Sequence, residues 1–226
     1  ALARSLAPSP SLLMLDEPLG ALDRSLREEL MLELRRILNE VGVTALYVTH
    51  DQQEAFAVAD RIVVMNGGRI EQDAAPQDVH DRPASPFVAR FLGFHNLLPA
   101  SISPGPPAQA ETAIGAIELD AIGARADATM SEHLLLIRPE AARFVDVPSS
   151  GKGLALECAL RMTSYRGAAY RLEVEASGRE GPVTLSFDVP AYRLLDDGRR
   201  LPLDPADLQP GRQIILALDP SLMTLL

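Results

Sequence analysis

The hydrophobic pattern of the chain changes near residue 95, from strands that alternate with helices to strands alone. Up to that point, short apolar runs are followed by segments whose apolar residues recur at helical spacing. After Leu97 the helical signal fades, and turn residues and most of the prolines separate strand-like runs. The first pattern favours a mostly parallel α/β sheet and the second a small β-barrel. We therefore predict two domains, an α/β domain at 1–95 and an all-β domain at 96–226.

The α/β part is predicted to contain a strand, a long helix and a second strand, in that order. Leu26, Leu30 and Leu34 form one apolar face of the long helix, and Gly42 follows as a stop signal. Asp51 and Glu54 have the spacing of a capping box at the next helix. Asn66-Gly67-Gly68 predicts the turn of a hairpin. The predicted strands are 12–15, 44–49, 61–65 and 69–71, and the predicted helices are 24–39, 52–58, 76–80 and 86–91.

The all-β part is predicted from runs of apolar and β-branched residues with turn residues between them. A proline-rich loop at 103–107 precedes these runs. Cys158 lies within one of them without a nearby histidine, which favours a buried strand residue over a nucleophile. The predicted strands are 113–119, 134–137, 154–162, 170–174, 183–187 and 213–218.

Composition excludes several classes of protein. With 226 residues and 47% hydrophobic residues, the chain is long enough for a substantial core. A net charge of −10 argues against a nucleic-acid partner, because phosphate binding needs clustered lysine and arginine. The apolar runs are shorter than the roughly 18 residues that a membrane-spanning helix needs, so we expect no direct membrane insertion. One cysteine and scattered histidines also make a zinc site improbable.

Two adjacent carboxylates, Asp16 and Glu17, stand where the first apolar strand is predicted to end. Successive side chains on a strand point to opposite faces, so we expect the two carboxylates to have different tasks. In phosphoryl-transfer enzymes, such a pair fits Mg²⁺ placement by the aspartate and water activation by the glutamate. Asp16 on its own also fits a residue that caps the following turn.

The segments Ser11–Pro18, Leu19–Asp23 and Thr49–His50 resemble, in order and spacing, motifs of ATP-binding-cassette (ABC) ATPases. The matching motifs are the Walker B strand with its catalytic glutamate, the D-loop and the switch histidine. The phosphate loop G-x-x-x-x-G-K-[ST] and the LSGGQ signature of that family do not occur in the sequence. The resemblance therefore implies a protein truncated at its N-terminus.

The resemblance also implies roles for individual residues. Asp16 would hold Mg²⁺ through water, and Glu17 would polarise the water that attacks ATP. His50 would reach the γ-phosphate, although a lone histidine is more often structural. Asp23 would be the D-loop aspartate facing a second ATPase, while its position also suits a helix N-cap, and both interpretations stay open. Asp51 is better explained as a helix cap than as a catalyst.

The later part of the chain resembles the TOBE module, an OB-like β-barrel that follows the ATPase of maltose, polyamine, iron and oxyanion importers. The likeness lies in Ile137–Glu140, the hairpin around Tyr165–Gly167, and the ending Gln209–Pro220. The segment Arg82–Gly93 is similar to the junction between the two domains of those importers.

Together these resemblances imply the ATP-hydrolysing subunit of an ABC importer, with ATP and Mg²⁺ as cofactors. The intact subunit would form a homodimer on a membrane permease, at the cytoplasmic face of the cell membrane. This chain alone is expected to be inactive. We also expect the α/β part, with its incomplete sheet, to dimerise or swap with another chain, or else to be disordered. Two alternatives stay open: a regulatory or dimerisation β-module with a structural ATPase remnant, and a DNA-repair ATPase, which the acidic charge disfavours.

Overall fold

The structure is a computed structural model of the 226-residue chain. It describes residues 2–20, 22–103, 105, 107–123, 133–145, 154–179, 181–194 and 199–226. Ala21 of the D-loop-like segment, with Pro104 and Pro106 of the predicted loop, lies outside the described residues.

The chain forms two compact units, Ala1–Ala84 and Ser85–Leu226. This division comes before the predicted domain boundary at 95/96, because the segment that follows Ala84 packs on the second unit. Ala89 and Phe94 share a small apolar cluster with Leu136. The domain division at 95/96 itself stays a prediction.

The first unit contains strands and helices in alternation, as predicted. Its helices are α1 (Leu2–Leu6), α2 (Arg24–Val41), α3 (Gln52–Val58) and α4 (Pro76–Asp81), and its strands are β1 (Leu12–Asp16), β2 (Thr44–Val48), β3 (Ile62–Asn66) and β4 (Arg69–Ala74).

Helix α2 begins and ends where its sequence signals predict. Asp23 caps its N-terminus by accepting a hydrogen bond from the Leu26 N–H. Gly42 follows its last residue with a φ of 68°, a left-handed conformation that glycine adopts without strain. Met31 and Leu34 are buried on its inner face, where they form a cluster with Leu19 and Val58.

Strands β1 and β2 run parallel, with Leu12 opposite Thr44 and Asp16 opposite Val48. Parallel strands bring their carboxyl ends to the same edge of the sheet, so the residues that follow β1 and β2 become neighbours. Strands β3 and β4 form the predicted hairpin. Both glycines of its turn have positive φ, as a type I′ turn requires.

The second unit begins with a helix and continues almost entirely as strands. After α5 (Pro86–Phe91) come β5 (Leu97–Ser103), β6 (Gln109–Thr112), β7 (Gly115–Glu118), β8 (His133–Ile137), β9 (Ala142–Phe144), β10 (Leu154–Tyr165), β11 (Ala169–Gly178), β12 (Gly181–Pro190), β13 (Tyr192–Leu194), β14 (Arg200–Pro202), β15 (Gln213–Leu218) and β16 (Met223–Leu225).

Two antiparallel five-stranded sheets, in the orders β12-β11-β10-β15-β9 and β16-β8-β5-β6-β7, enclose the core of this unit. Leu135, Ile137, Leu172 and Phe187 are fully buried in that core. The prediction of an α/β part followed by an all-β part is confirmed. The predicted strand 113–119 is confirmed as β7, but it starts two residues later, because the chain reverses between β6 and Gly115, whose φ of 135° suits glycine.

Candidate functional site

Strand β1 ends at Asp16, and the next residue leaves the strand. The Glu17 N–H donates to the Val48 carbonyl at 2.9 Å, while its φ of 43° places the backbone in the left-handed region. This conformation is uncommon for a residue other than glycine and is enriched at functional sites. We expected strand alternation to separate the two carboxylates. In the structure, a backbone turn at Glu17 ends the strand before the alternation reaches it.

The turn at Glu17 brings its carboxylate to His50, which follows strand β2. His50 Nδ1 lies 3.1 Å from Glu17 Oε1, although the two residues are 33 positions apart in the sequence. Both side chains remain open to solvent, with 77% of His50 and 54% of Glu17 exposed. Two residues that the sequence singled out separately therefore form one pair at the carboxyl edge of the parallel strands.

Asp16 lies on the other face of the β1–β2 sheet from the helices. Leu13 and Leu15 are buried or half-buried, whereas Leu12, Met14 and Asp16 alternate with them and are exposed. An exposed carboxylate is a hard oxygen donor, and Mg²⁺ is usually held by one or two carboxylates together with waters and substrate phosphates. The side chain of Asp16 fits that requirement.

Asp23 lies at the N-terminus of α2. Its Oδ1 accepts from the Leu26 N–H at 3.1 Å. A side-chain acceptor at this position pairs one of the backbone N–H groups that the first helical turn leaves free. The capping interpretation of Asp23 is confirmed, and its D-loop role stays a prediction.

Asp51 caps helix α3, but the predicted capping box is only half formed. Asp51 Oδ1 accepts from the N–H groups of Gln53 and Glu54, at 2.8 and 3.4 Å. The second bond of a capping box would run from the Asp51 N–H to the Glu54 carboxylate, and that prediction is wrong. The Asp51 N–H instead donates to Thr49 Oγ1 at 3.0 Å.

Glu54 instead turns into the protein, where only 2% of its surface is exposed. Glu54 Oε2 accepts from the Tyr47 hydroxyl at 2.7 Å and from Thr49 Oγ1 at 2.8 Å. Burial and this hydrogen bond raise the pKa of Tyr47, because both oppose loss of the phenolic proton beside a carboxylate. A buried carboxylate with two hydroxyl donors thus lies beneath the backbone that carries His50.

Arg27 connects this cluster to the turn before α2. Its guanidinium donates to Asp51 Oδ2 at 3.0 Å and to the Leu22 carbonyl at 2.8 Å. Its Nε lies 3.7 Å from Glu54 Oε1, an ion-pair distance. The sequence patterns did not identify Arg27 as part of this cluster, and they did not predict that the Glu54 carboxylate is buried. The signal was the position of Arg27 one helical turn after Asp23, together with the two-residue spacing of Tyr47 in β2 and Thr49 just after it.

The relatives of the chain are ATP-binding import proteins. The Fe(3+) ions import ATP-binding protein FbpC of Streptomyces coelicolor is 46% identical over 178 residues, 79% of this chain and 47% of its own length. The sulfate/thiosulfate import ATP-binding protein CysA of Rhodopseudomonas palustris is 40% identical, covering 91% of this chain and 56% of its own length. The spermidine/putrescine import ATP-binding protein PotA of Acidothermus cellulolyticus is 41% identical, with 80% and 47% covered.

The chain is homologous to the ATP-binding subunits of ABC importers. It spans about half the length of the curated relatives it matches. No protein-family model matches the chain. Among solved structures, the cytoplasmic molybdate-binding protein ModG covers 58% of this chain and 94% of its own, with 11% identity and a TM-score of 0.35.

Two other histidines of this ABC-importer homologue lie apart from the Glu17–His50 pair in sequence. His80 Nδ1 lies 2.9 Å from Asp81 Oδ1, and the His80 ring packs edge-on against Phe56. His133 is buried in strand β8. Within the described ranges, His, Cys, Asp and Glu side chains form no group of three that would hold a metal ion.

Cys158 is buried in β10, as predicted, with 2% of its surface exposed. Burial raises the pKa of its thiol to about 12, so the nucleophilic thiolate is scarce at neutral pH. None of the helices that the structure describes combines the length and apolar composition needed to cross a bilayer.

Proposed function

We propose that this chain is part of the ATP-hydrolysing subunit of an ABC importer. The observation that carries the proposal is the contact between Glu17 and His50, which joins the Walker-B-like and switch-like segments at one sheet edge. Homology to import ATP-binding proteins supports the same assignment. The relatives are named for iron(III), sulfate and polyamines at similar identities, so the proposal extends to solute import as a class.

In this proposal, Glu17 polarises the water that attacks the γ-phosphate, and His50 orients Glu17 and contacts the phosphate. A neutral imidazole donates from one nitrogen only. His50 therefore donates to Glu17 and to a phosphate oxygen at the same time only as the imidazolium ion. Asp16 would hold Mg²⁺, which supplies charge neutralisation at the phosphates when bound.

The proposed partners follow from the same assignment. Asp23 would face a second copy of the subunit in a homodimer, and the dimer would associate with permease subunits at the cytoplasmic face of the membrane. The sequence contains no G-x-x-x-x-G-K-[ST] loop, so this chain by itself would lack the backbone cradle and lysine that bind the phosphates.

A chimaera tests the proposal directly. The chain replaces the aligned segment of the Streptomyces coelicolor relative, which is 46% identical. We expect the chimaera to hydrolyse ATP, and Glu17→Gln to reduce the rate by roughly 10²–10⁴-fold, the usual contribution of general-base catalysis. ATP binding should persist, because the amide retains the size of the side chain.

Glu29→Gln provides the matched control, since Glu29 is an exposed glutamate on α2. Its ATPase rate should equal that of the unmodified chimaera. Unchanged hydrolysis by the Glu17 variant, or an inactive chimaera that still binds ATP, would contradict the assignment.

Nucleotide titration of the 226-residue chain separates this proposal from an ATPase remnant that binds nucleotide on its own. We expect no ATP binding at micromolar concentration by isothermal titration calorimetry. Micromolar affinity would mean that the chain holds ATP without the phosphate loop. The proposal that this chain supplies hydrolytic residues but not the phosphate-binding site would then be wrong.

A further inference from the structure

Two turns carry the candidate residues, and each has its own attachment to the protein. We call residues 17–23, between β1 and α2, the acidic turn, and residues 49–51, between β2 and α3, the His50 turn. The acidic turn contains Glu17 and Asp23. The Glu17–His50 contact that joins the two turns is largely open to water, so it is too weak by itself to fix their separation.

The His50 turn is held from beneath through the neighbours of His50. Thr49 Oγ1 donates to the buried Glu54 carboxylate and accepts from the Asp51 N–H. Asp51 uses one carboxylate oxygen to cap α3 and the other to accept from Arg27. The exposed His50 side chain therefore lies between two residues whose side chains are both fixed.

The Arg27 side chain contacts both turns. One guanidinium nitrogen donates to Asp51 in the His50 turn, and another donates to the Leu22 carbonyl in the acidic turn. The Arg27 side chain is 27% exposed and Asp51 is 26% exposed, so water screens their ion pair only in part. A planar guanidinium with fixed donor directions is suited to bridging two acceptors at a set distance.

We propose that Arg27 is a positioning residue. It fixes the distance between the acidic turn and the His50 turn and so keeps Glu17 within hydrogen-bond distance of His50. The catalytic consequence rests on the proposed ATPase function. The coupling of the two turns does not, because it is a property of this chain without nucleotide.

Amide hydrogen exchange in the 226-residue chain tests the coupling. In Arg27→Gln, Asp51 loses its ionic partner, and we expect the amides of Asp51 and Gln53 to exchange roughly tenfold faster, as expected for loss of a hydrogen bond to a charged group. Arg27→Lys keeps the charge but replaces the fork by one ammonium group, so it should show the same acceleration.

Arg35→Gln is the matched control on the same helix. Arg35 also joins α2 to the α3 region, but at the opposite end, where it donates to the Ala57 carbonyl at 2.8 Å and pairs with Asp60. We expect faster exchange at residues 57–60 in this variant and unchanged exchange at Asp51 and Gln53. Equal effects of the two variants on the His50 turn, or no effect of Arg27→Gln, would overturn the coupling.

Kinetics of the chimaera test the consequence for hydrolysis. Arg27→Gln should lower kcat roughly tenfold with KM for ATP unchanged, because a misplaced Glu17–His50 pair affects the reacting geometry rather than substrate binding. Arg35→Gln should retain kcat. Equal kcat in both variants would overturn the positioning role. A chimaera without Glu17-dependent hydrolysis would overturn the proposed function instead, and the exchange result would still decide the coupling.

Discussion

The two units of the chain differ in whether both faces of their β-strands are covered. In Ser85–Leu226, two five-stranded sheets share one core, and residues from both are fully buried. In Ala1–Ala84, helices cover one face of the β1–β2 pair. The other face leaves four large apolar side chains between 49% and 69% exposed: Leu12, Met14, Leu46 and Val48.

This difference shows that the candidate site and the main source of stability lie in different units. Burial of apolar surface is the dominant favourable term in folding, and the second unit has by far the larger buried cluster. The Glu17–His50 pair lies in the unit with the smaller core, where side-chain hydrogen bonds around Glu54 and Arg27 fix the turns. We expect the second unit to remain folded under conditions that unfold the first.

The largest expected effect is on the core of the second unit. Phe187 is fully buried in β12, so Phe187→Ala should lower the free energy of unfolding of that unit by about 3–5 kcal/mol through lost transfer energy and a cavity. Cys158 reports the opening directly, because it is the single cysteine and its thiol is buried. Its rate of alkylation in increasing urea measures the change.

Tyr165→Ala is the matched aromatic control in the same unit, since Tyr165 is 63% exposed and contacts Tyr170. This variant should cost about 0.5–1.5 kcal/mol, the value of an aromatic pair. Equal shifts of the urea midpoint in Phe187→Ala and Tyr165→Ala would show that the stability of the second unit does not depend on this core. The contrast drawn between the cores of the two units would then be wrong.

Sequence patterns predicted the elements whose ends carry strong local signals. Helix α2 follows Asp23 and stops before Gly42, and the β3–β4 hairpin turns at two glycines, so propensity and tertiary structure agree there. Strands β5 and β6 were not predicted, and neither were the short strands β9, β13, β14 and β16. Each of these four short strands is only three residues long and is defined by its pairing partner rather than by its own sequence.

Within the candidate site, sequence motifs predicted the residues but not their support. Glu17 and His50 were found from their motifs, and the parallel register of β1 and β2 brings them together. Glu54 was assigned to a capping box by its spacing from Asp51. Tertiary hydroxyl donors on Tyr47 and Thr49 compete for that carboxylate, and the buried arrangement prevails.

The next largest effect concerns a buried amide in the second unit. Asn96 is 4% exposed, donates to the carbonyls of Ile137 and Ser186, and accepts from the Ser186 N–H. Asn96→Ala removes the partner of these backbone groups and should lower the free energy of unfolding of the second unit by about 1–3 kcal/mol in total. Urea unfolding followed by Cys158 alkylation measures the loss.

Asn66→Ala is the control, because Asn66 is exposed and bonds Glu71 at 3.1 Å. Equal destabilisation by both variants would show that Asn96 does not strengthen the second unit.

The smallest effect on stability, and the one that tests the first unit, concerns its exposed apolar face. Met14→Lys with Leu46→Lys places two charges on that face, and exposed substitutions of this kind usually change the free energy of unfolding by less than about 0.5 kcal/mol. Self-association should nevertheless fall, because contiguous apolar surface and unpaired strand edges promote contacts between chains.

Sedimentation velocity over a range of protein concentrations measures that association. Met162→Lys is the control, since Met162 is 54% exposed on strand β10 of the second unit. If the exposed face of β1 and β2 drives association, the double variant sediments as a monomer while the unmodified chain and the Met162 variant form dimers or larger species. A monomeric unmodified chain would mean that a half-covered sheet is tolerated in solution. In that case the two units would differ only in the size of their cores. The exposed apolar residues around Asp16 would then not indicate a surface that another chain covers.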